Sequence, residues 1–317
     1  MYASQPVLSR RRRSPCLLTA LGCLVSFTSM TQAFAGERIL HAGSGQLEIS
    51  VNGIEDPARE AMLQQWAEEA ARTLLTASDR FPLPRIRAVV RETNNRDPSP
   101  VPWGQTLRRD GVSVLLYVRP DATFEQLRDD WTAVHEFSHL MHPYLGREGR
   151  WMAEGLASYY QNVLRARAAL MPPEEAWRRL DAGFERGRRA PAGAALSSAR
   201  GRGATMRVYW AGAAYWLQTD LALRERGSSL DAVLAAYARC CLSERSESTP
   251  LAFAQALDRI DGHGLFVRLY RQYAAATEFP DLTTAYRTLG LSGSGPTLRF
   301  SEGDAPARLR VALMRAR

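Results

Sequence analysis

Three hydrophobic segments in the first half of the chain, in which apolar and polar positions alternate only in part, are predicted to be β-strands. The three segments are rich in aliphatic and β-branched residues and cover residues 39–51, 85–92 and 111–118. Between the first two, residues 57–78 have the spacing of an amphipathic helix. A proline-rich break at residues 97–102 follows the second strand.

A helical period replaces the alternation at Thr123. Thr123 and Gln126 form a capping-box sequence, in which the two side chains can satisfy the first free backbone donors of a helix. Apolar residues then recur at helical spacing, namely Phe124, Leu127, Trp131, Val134 and Leu140. We therefore predict one helix that ends before Pro143, because proline cannot continue it.

The second half of the chain is predicted to be mostly helical. A helix at residues 151–164 has apolar positions at Met152, Leu156, Tyr159, Tyr160 and Val163. Another begins at Pro172-Pro173, and the later helices are predicted near residues 207–226, 229–241, 249–260 and 264–276. The predicted fold class is therefore α+β, with a small α/β part at 36–122, a helical part at 123–292 and a tail at 293–317 in which residues 297–316 could add strands.

The first 35 residues have the pattern of a signal peptide. Four arginines, Arg10–Arg13, precede an apolar run from Cys16 to about Phe27, and Ala33-Phe34-Ala35 is a typical cleavage site. The run is too short to span a bilayer comfortably, so we predict export to the periplasm or the medium of a Gram-negative-type bacterium, without stable membrane insertion. Cys23 lies in a partial lipoprotein box, and its lipidation stays open.

Removing this segment changes the charge. The chain has 41 basic and 33 acidic residues, and four basic and no acidic residues lie in 1–35, which leaves 37 minus 33, or +4. Much of the basicity therefore belongs to targeting, and we predict no nucleic-acid partner. Every basic residue is Arg, which we attribute to a GC-rich coding bias. Cys240 and Cys241 are adjacent and are predicted to be free or buried thiols.

The candidate chemistry lies on the helix that precedes Pro143. His135 and His139 are four residues apart, so both imidazoles lie on one helical face and can bind one metal ion, while Glu136 points toward an open coordination position. A His-Glu-x-x-His helix is typical of zinc hydrolases. We predict one zinc ion per chain.

A third ligand has to come from elsewhere. Glu154 is the candidate, because a carboxylate in the first turn of the next helix can face the two histidines and leave the fourth position to water. His142 competes for this role. It lies about 10 Å along the helix axis from His135 at 1.5 Å rise per residue, which is too far for three helical histidines to surround one ion. We interpret His142 as a helix-end residue that could line the cleft.

These residues resemble a known family. His135-Glu136-x-x-His139 together with Trp151-x-x-Glu154-Gly155-Leu156-Ala157-Ser158-Tyr159 is similar to the gluzincin metallopeptidases, in particular their compact peptidase-MA-like branch and the glycyl aminopeptidase group. The resemblance implies a zincin-like (thermolysin-like) fold, zinc bound by His135, His139 and Glu154, and Glu136 as the general base. One departure is that only fourteen residues separate His139 from Glu154, fewer than in thermolysin, so the connection must be tight.

A second stretch adds to the resemblance. Tyr209-Trp210-Ala211-Gly212 is similar to a Tyr-x-x-Gly sequence that opens a helix in aminopeptidase-like gluzincins, where the phenol donates a hydrogen bond to the oxyanion. The resemblance implies that role for Tyr209, and a neutral donor suits it chemically. An aromatic residue that only packs in the core is the alternative. His263 is a rival donor of the thermolysin type, but its glycine neighbours indicate a turn.

Substrate binding is predicted at a strand. In this clan an edge strand above the zinc pairs with an extended peptide, and the predicted strand at residues 111–118 is the candidate. Exopeptidase relatives carry a glutamate that binds the substrate amine about where Trp103-Gly104-Gln105 lies, and this chain has none there. Trp103 could contact substrate or cap the core. The arginine-rich segment at residues 186–203 is predicted to be a mobile loop at the cleft.

We therefore predict a secreted zinc metallopeptidase that acts on peptides or proteins, with Glu136 and Tyr209 as catalytic residues. Whether it is an endopeptidase or an aminopeptidase stays open, as does the oligomeric state. The competing hypothesis is a catalytically silent protein of the cell envelope that keeps the gluzincin fold for binding. Against it, both histidines, the base and the third ligand are all present.

Overall fold

A mixed five-stranded sheet is formed by the first part of the chain, and helices make up most of the rest. The computed structural model describes residues 37–108 and 111–316. The predicted signal peptide, with Cys23, lies outside the described residues. The α+β fold class is confirmed. No helix in the described part of the chain is long and apolar enough to cross a membrane.

The sheet has the spatial order β1-β2-β3-β5-β4. Its strands are β1 Arg38–Ala42, β2 Gly45–Asn52, β3 Arg85–Glu92, β4 Trp103–Leu107 and β5 Ser113–Val118. The three inner strands are parallel, and β1 and β4 run antiparallel at the two edges. The single strand predicted at 39–51 is a hairpin, because Gly43 has a positive φ of 58° and allows a tight turn between Ala42 and Gly45.

The edge strand next to the helical part is β4, a segment for which no strand was predicted. It pairs with β5 on one side only, from Trp103 opposite Tyr117 to Leu107 opposite Ser113. The prediction that residues 111–118 form the edge strand is wrong, because β5 lies between β3 and β4. The free edge therefore belongs to β4, and no described strand pairs with its other side.

The helices agree with most of the predicted ranges. They are α1 Pro57–Arg72, α2 Phe124–Asp129, α3 Thr132–Ser138, α4 Arg150–Arg167, α5 Pro173–Arg189, α6 Thr205–Glu225, α7 Leu230–Cys240, α8 Pro250–Asp261, α9 Leu265–Ala274, α10 Thr283–Leu289 and α11 Asp304–Met314. Two-residue strands, β6 Leu291–Ser292 and β7 Arg299–Phe300, form a small second sheet. The tail is thus mostly helical, so the prediction that it adds strands is wrong except for β7.

The predicted helix that begins at Thr123 is divided into two. The capping box at Thr123 and Gln126 is present, with both of its hydrogen bonds. The chain leaves the helix at Asp130 (ψ 145°), whose carboxylate accepts hydrogen bonds from the Thr132 amide (2.7 Å) and the Ser99 hydroxyl (2.9 Å). A short acidic side chain that binds nearby donors competes with the helical hydrogen bonds, which explains the break.

Two further predictions are wrong. Residues 186–189 belong to α5, and the loop after them packs against the end of α9, with the Leu196 amide donating to the Ala276 carbonyl (3.0 Å). Cys240 and Cys241 form a disulfide rather than free thiols. The helix α7 ends at Cys240, and Cys241 has left the helical region (φ −138°), so the adjacent sulfur atoms can meet.

The crossing of α4 and α6 positions the chemistry described below. Gly155 and Gly212 face each other at the crossing, where a Cβ on Gly155 would lie 2.2 Å from the Gly212 carbonyl carbon. A Cβ on Gly212 would lie 1.9 Å from the Trp151 carbonyl oxygen. No other residue fits at such an approach, so these glycines bring the two helices into backbone contact.

Candidate metal centre

The two histidines of the metal-binding motif lie side by side at the end of α3. One ligand atom from each of His135, Glu136 and His139 lies within 4.8 Å of the others. His139 follows α3 in a short 3-10 turn, but it keeps helical backbone angles (φ −62°, ψ −17°). The side chains of His135 and His139 therefore stay on the same face, although the helix changes from α to 3-10 between them. His135 is buried, and His139 is partly exposed.

Glu154, the fifth residue of α4, reaches both histidines. Its Oε2 lies 3.3 Å from His135 Nε2 and 3.6 Å from His139 Nε2. Ligand atoms around a tetrahedral zinc ion lie about 3.3–3.5 Å apart, given zinc bonds of about 2.0–2.1 Å. The three side chains therefore fit zinc in both donor type and spacing. Glu136 is also near the histidines, but its carboxylate has a different partner.

In both histidines the Nδ1 atom, which lies away from Glu154, forms a hydrogen bond with a neighbouring side chain. His135 Nδ1 lies 2.8 Å from the amide oxygen of Gln161, and His139 Nδ1 lies 3.0 Å from His142 Nε2. His142 Nδ1 in turn donates to the Pro143 carbonyl at 2.6 Å, so His142 Nε2 accepts. Each histidine then carries its proton on Nδ1 and can offer the lone pair of Nε2, as metal-binding histidines do.

The electrostatics keep these groups in the required forms. Burial, followed by the charges of His139 and Arg108, lowers the pKa of His142 well below its usual range, so His142 stays neutral and can accept. Burial alone would raise the pKa of Glu154. When His135 and His139 are protonated on Nε2, before a metal ion takes the place of these protons, their hydrogen bonds outweigh it and hold the pKa of Glu154 well below its usual range, so Glu154 stays an anion.

Glu136 lies against β4. A Cβ on Gly104 would be 2.6 Å from Glu136 Cγ, so glycine is required for the strand to pass this close. The Thr106 hydroxyl lies 2.9 Å from Glu136 Oε2 and 2.8 Å from the Glu136 backbone oxygen, and it can donate to either. The carboxylate is thereby positioned between the edge strand and the two histidines.

Tyr209 lies on the other side of the site, one turn before Gly212. Its ring stacks on His135, with centroids 5.9 Å apart, and the Arg150 guanidinium lies 5.5 Å from the Tyr209 ring centre. Burial and the charge of Glu154 raise the pKa of Tyr209 above its usual value, so the phenol keeps its proton and can donate. The close approach of α4 and α6 brings Tyr209 and Glu154 together.

A cleft of about 790 Å³ gives access to these groups. It is lined by β4, by Glu136, His139, His142, Glu154 and Tyr209, and by the segment between His142 and Arg150. Trp103 and Tyr144 contribute exposed aromatic rings, with 56% and 52% of their surface accessible. His263 lines a different surface depression, beside Arg226 and Asp261. Residues 186–203 do not line the metal cleft, so the prediction of a loop at the cleft is wrong.

The sequence pattern did not indicate the roles of three residues at the site, which are Gln161, His142 and Thr106. Gln161 follows Glu154 by seven residues, two helical turns, and this spacing could have indicated a partner on the same face. His142 was considered as a ligand and not as the partner of His139. Thr106 could not be found, because the strand that contains it was not predicted.

Comparison with solved structures places this fold among the zinc metallopeptidases. An aminopeptidase N family protein from Idiomarina loihiensis has a TM-score of 0.55 and 13% identity, over 81% of this chain and 49% of that one. A two-domain M1 zinc metallopeptidase variant bound to L-arginine has a TM-score of 0.52 and 13% identity, over 78% and 53%. Yeast leukotriene A4 hydrolase has a TM-score of 0.51 and 12% identity, over 79% and 42%. No protein-family model and no curated protein matches the chain.

At these identities the similarity concerns the fold. The chain spans about half the length of the solved proteins it resembles. It is similar to the catalytic domain of M1 zinc metallopeptidases, and it has a zincin-like metallopeptidase fold with a candidate His-Glu-x-x-His zinc site.

Proposed function

We propose that this protein is a zinc-dependent peptidase that hydrolyses peptide bonds, with zinc held by His135, His139 and Glu154. The observation that carries the proposal is the convergence of three ligand atoms of zinc-binding type, with Glu154 Oε2 at 3.3 Å and 3.6 Å from the two histidine nitrogens. The fold similarity to M1 metallopeptidases supports it. Zinc bound there supplies a Lewis acid and makes water acidic enough to react at neutral pH.

The protein side chains then have separate tasks. Glu136 accepts the proton of the attacking water and passes it to the leaving amine. Thr106 holds the Glu136 carboxylate in place through its hydroxyl. Tyr209 donates a hydrogen bond to the oxygen of the scissile carbonyl as negative charge develops on it, which stabilises the transition state more than the substrate.

Peptides are the proposed substrates because of the free edge of β4. This strand passes Glu136 and has unpaired backbone groups on the side that faces the cleft, where an extended peptide can add as a further strand. Trp103 lies at one end of the strand and is exposed enough to contact a substrate side chain. The choice between endopeptidase and aminopeptidase activity stays open.

Two finer points belong to the same proposal. The Glu154-Gly155-x-x-Ser158-Tyr159-Tyr160 sequence supports placing the chain in the peptidase-MA-like and glycyl aminopeptidase branch of the gluzincins. The pattern of residues 1–35 supports export, and the Cys240–Cys241 disulfide suits an oxidising compartment.

The test combines metal analysis with hydrolysis. We expect one zinc per chain, cleavage of casein or a peptide library, and loss of cleavage with a chelator that is reversed by added zinc. Glu136→Gln removes the base but no metal ligand, so it should keep zinc and lower turnover by about 100- to 10,000-fold.

The matched control is Glu302→Gln, which makes the same chemical change at an exposed residue that does not line the cleft. Full hydrolysis by Glu136→Gln would contradict the assigned base. Bound zinc without any hydrolysis by the wild-type protein would favour a silent binding protein instead.

A further inference from the structure

The lining of the metal cleft is rich in arginine. Arg108, Arg147 and Arg150 all line the cleft. Apart from Glu136 and Glu154, whose charges would offset that of a divalent zinc ion, Glu247 is the only acidic residue among the described residues that line the cleft. The described lining outside the metal site thus has three guanidinium groups and one carboxylate.

Arg108 is the innermost of the three. It follows β4 directly, and its Nη2 donates to the backbone carbonyls of His139 (2.8 Å) and His142. Its Nη1 is buried and has no hydrogen-bond partner in the described part of the chain. Burial lowers the pKa of Arg108 to about 10, so the side chain stays charged at neutral pH. A buried donor without a partner is costly, and a small rotation of this guanidinium toward the cleft that it lines would let Nη1 reach a bound anion.

The two outer arginines extend the positive charge along the cleft. Arg147 is exposed and forms no ion pair with any described residue. Arg150 is only weakly paired, with its Nε 4.0 Å from Glu154 Oε1. Glu247, whose backbone pairs with Tyr144, is exposed and likewise has no cation within ion-pair distance among the described residues. The balance of charge in the described lining thus favours an anionic group over a substrate ammonium.

We propose that the cleft selects peptides that carry a carboxylate close to the scissile bond, and that Arg108 and Arg147 bind this carboxylate. This inference rests on the proposed function, because it names the substrate class of the same site. The carboxylate can belong to an Asp or Glu side chain or to the C-terminus of the peptide, since both present the same planar pair of oxygens to a guanidinium.

The experiment uses the zinc-loaded full chain and matched peptides. Each peptide carries Asp or Asn at one position near the cleavage site, with a free or an amidated C-terminus, so that the two sources of carboxylate are separate arms. The readout is the ratio of kcat/KM for the charged and the neutral member of a pair. In parallel, binding of the same pairs is measured with the zinc-loaded Glu136→Gln variant.

We expect one arm to favour the carboxylate by about tenfold or more, because hydrogen bonds between charged groups are strong. Arg147→Glu should lower that ratio by a few fold, as expected for an exposed ion pair, while Arg147→Lys should retain more of it. Glu247→Gln should raise the ratio. Arg308→Glu makes the same charge change on α11, which does not line the cleft, and should leave the ratio unchanged.

Arg108→Gln tests the buried guanidinium, with thermal unfolding and zinc content checked first. If Arg108 only satisfies the carbonyls of His139 and His142, this variant loses stability and keeps the ratio. Hydrolysis without any preference for a carboxylate overturns the inference and leaves the peptidase proposal standing. If the wild-type protein hydrolyses no peptide but the Glu136→Gln variant binds the carboxylate member more tightly, the peptidase proposal is overturned and the inference stands. If both members of every pair bind equally, the inference is overturned, whether or not the protein hydrolyses peptides.

Discussion

The helix α4 contributes to two clusters of polar side chains. One is accessible from the cleft, and the other is buried, with its polar groups hydrogen-bonded to one another. Near its N-terminus, Glu154 faces His135 and His139, and its side chain keeps 20% of its surface accessible. At its other end Arg167 pairs with Asp231 at 2.9 Å, with 1% and 2% of their surfaces accessible. The same helix thus contributes to an open and to a closed polar cluster.

The closed cluster is satisfied by the protein itself. Tyr159 donates to Asp220 (2.9 Å), and Tyr160 donates to Asp231 (2.8 Å), which also binds Arg167. These contacts link α4 to α6 and α7. In the open cluster, by contrast, the Glu154 carboxylate lies against the Nε2 atoms of two histidines at 3.3 Å and 3.6 Å, and the group lines the cleft. The tyrosines of the Glu-Gly-x-x-Ser-Tyr-Tyr sequence therefore link helices of the fold, while the glutamate of the same sequence lies at the candidate metal site.

Among the substitutions that test the two clusters, Asp231→Ala in the closed cluster is expected to have the largest effect. It leaves the buried Arg167 guanidinium without its counter-charge, and the free energy of unfolding should fall by about 3–5 kcal/mol. Urea unfolding measures this change. Tyr160→Phe removes only a neutral donor to the same carboxylate and should cost clearly less. Zinc content per folded chain should be unchanged in both, and a loss of zinc would mean that the two clusters are coupled.

Tyr209→Phe tests the open cluster with a smaller expected effect. The change removes the phenol that donates to the developing oxyanion, so kcat should fall by about 100- to 1,000-fold with little change in KM. Steady-state kinetics at saturating zinc measure it. Tyr144→Phe removes a phenol from an exposed ring of the same cleft and serves as the control. Equal activity of the Tyr209 variant and the wild type would reduce Tyr209 to a packing residue.

The smallest effect is expected from His142→Phe. His142 connects the open cluster to the backbone, because it contacts both His139 and the Pro143 carbonyl. His139 Nδ1 would lose its acceptor, and zinc affinity should fall by about 10- to 100-fold, as for other partners of metal-binding histidines. Competition with a chelator of known affinity measures it. His142→Gln keeps an amide oxygen that can accept from His139, so it should lose less. Identical affinities for both variants would argue against a role of the His139–His142 contact.

Much of the fold was encoded locally. The strand at Arg85–Glu92 and the helices α4 to α9 follow from apolar periods and capping residues, because these patterns depend only on neighbours along the chain. The break at Asp130 was not predicted, since it depends on whether hydrogen bonds from Thr132 and Ser99 to the Asp130 side chain replace those of a continuous helix. The hairpin at Gly43 was not separated from one long strand for a similar reason, because a single glycine is a weak signal.

The sequence by itself determined the chemistry of the candidate site: the pair His135 and His139, the adjacent Glu136, and Glu154 in the first turn of the next helix are set by spacing within helices. Only the tertiary structure decided what surrounds them. The position of β4 at the sheet edge, the contact of Thr106 with Glu136 and the meeting of Gly155 with Gly212 all join segments far apart in sequence. Long-range pairing and close packing have no period along the chain, so no local pattern could have revealed them.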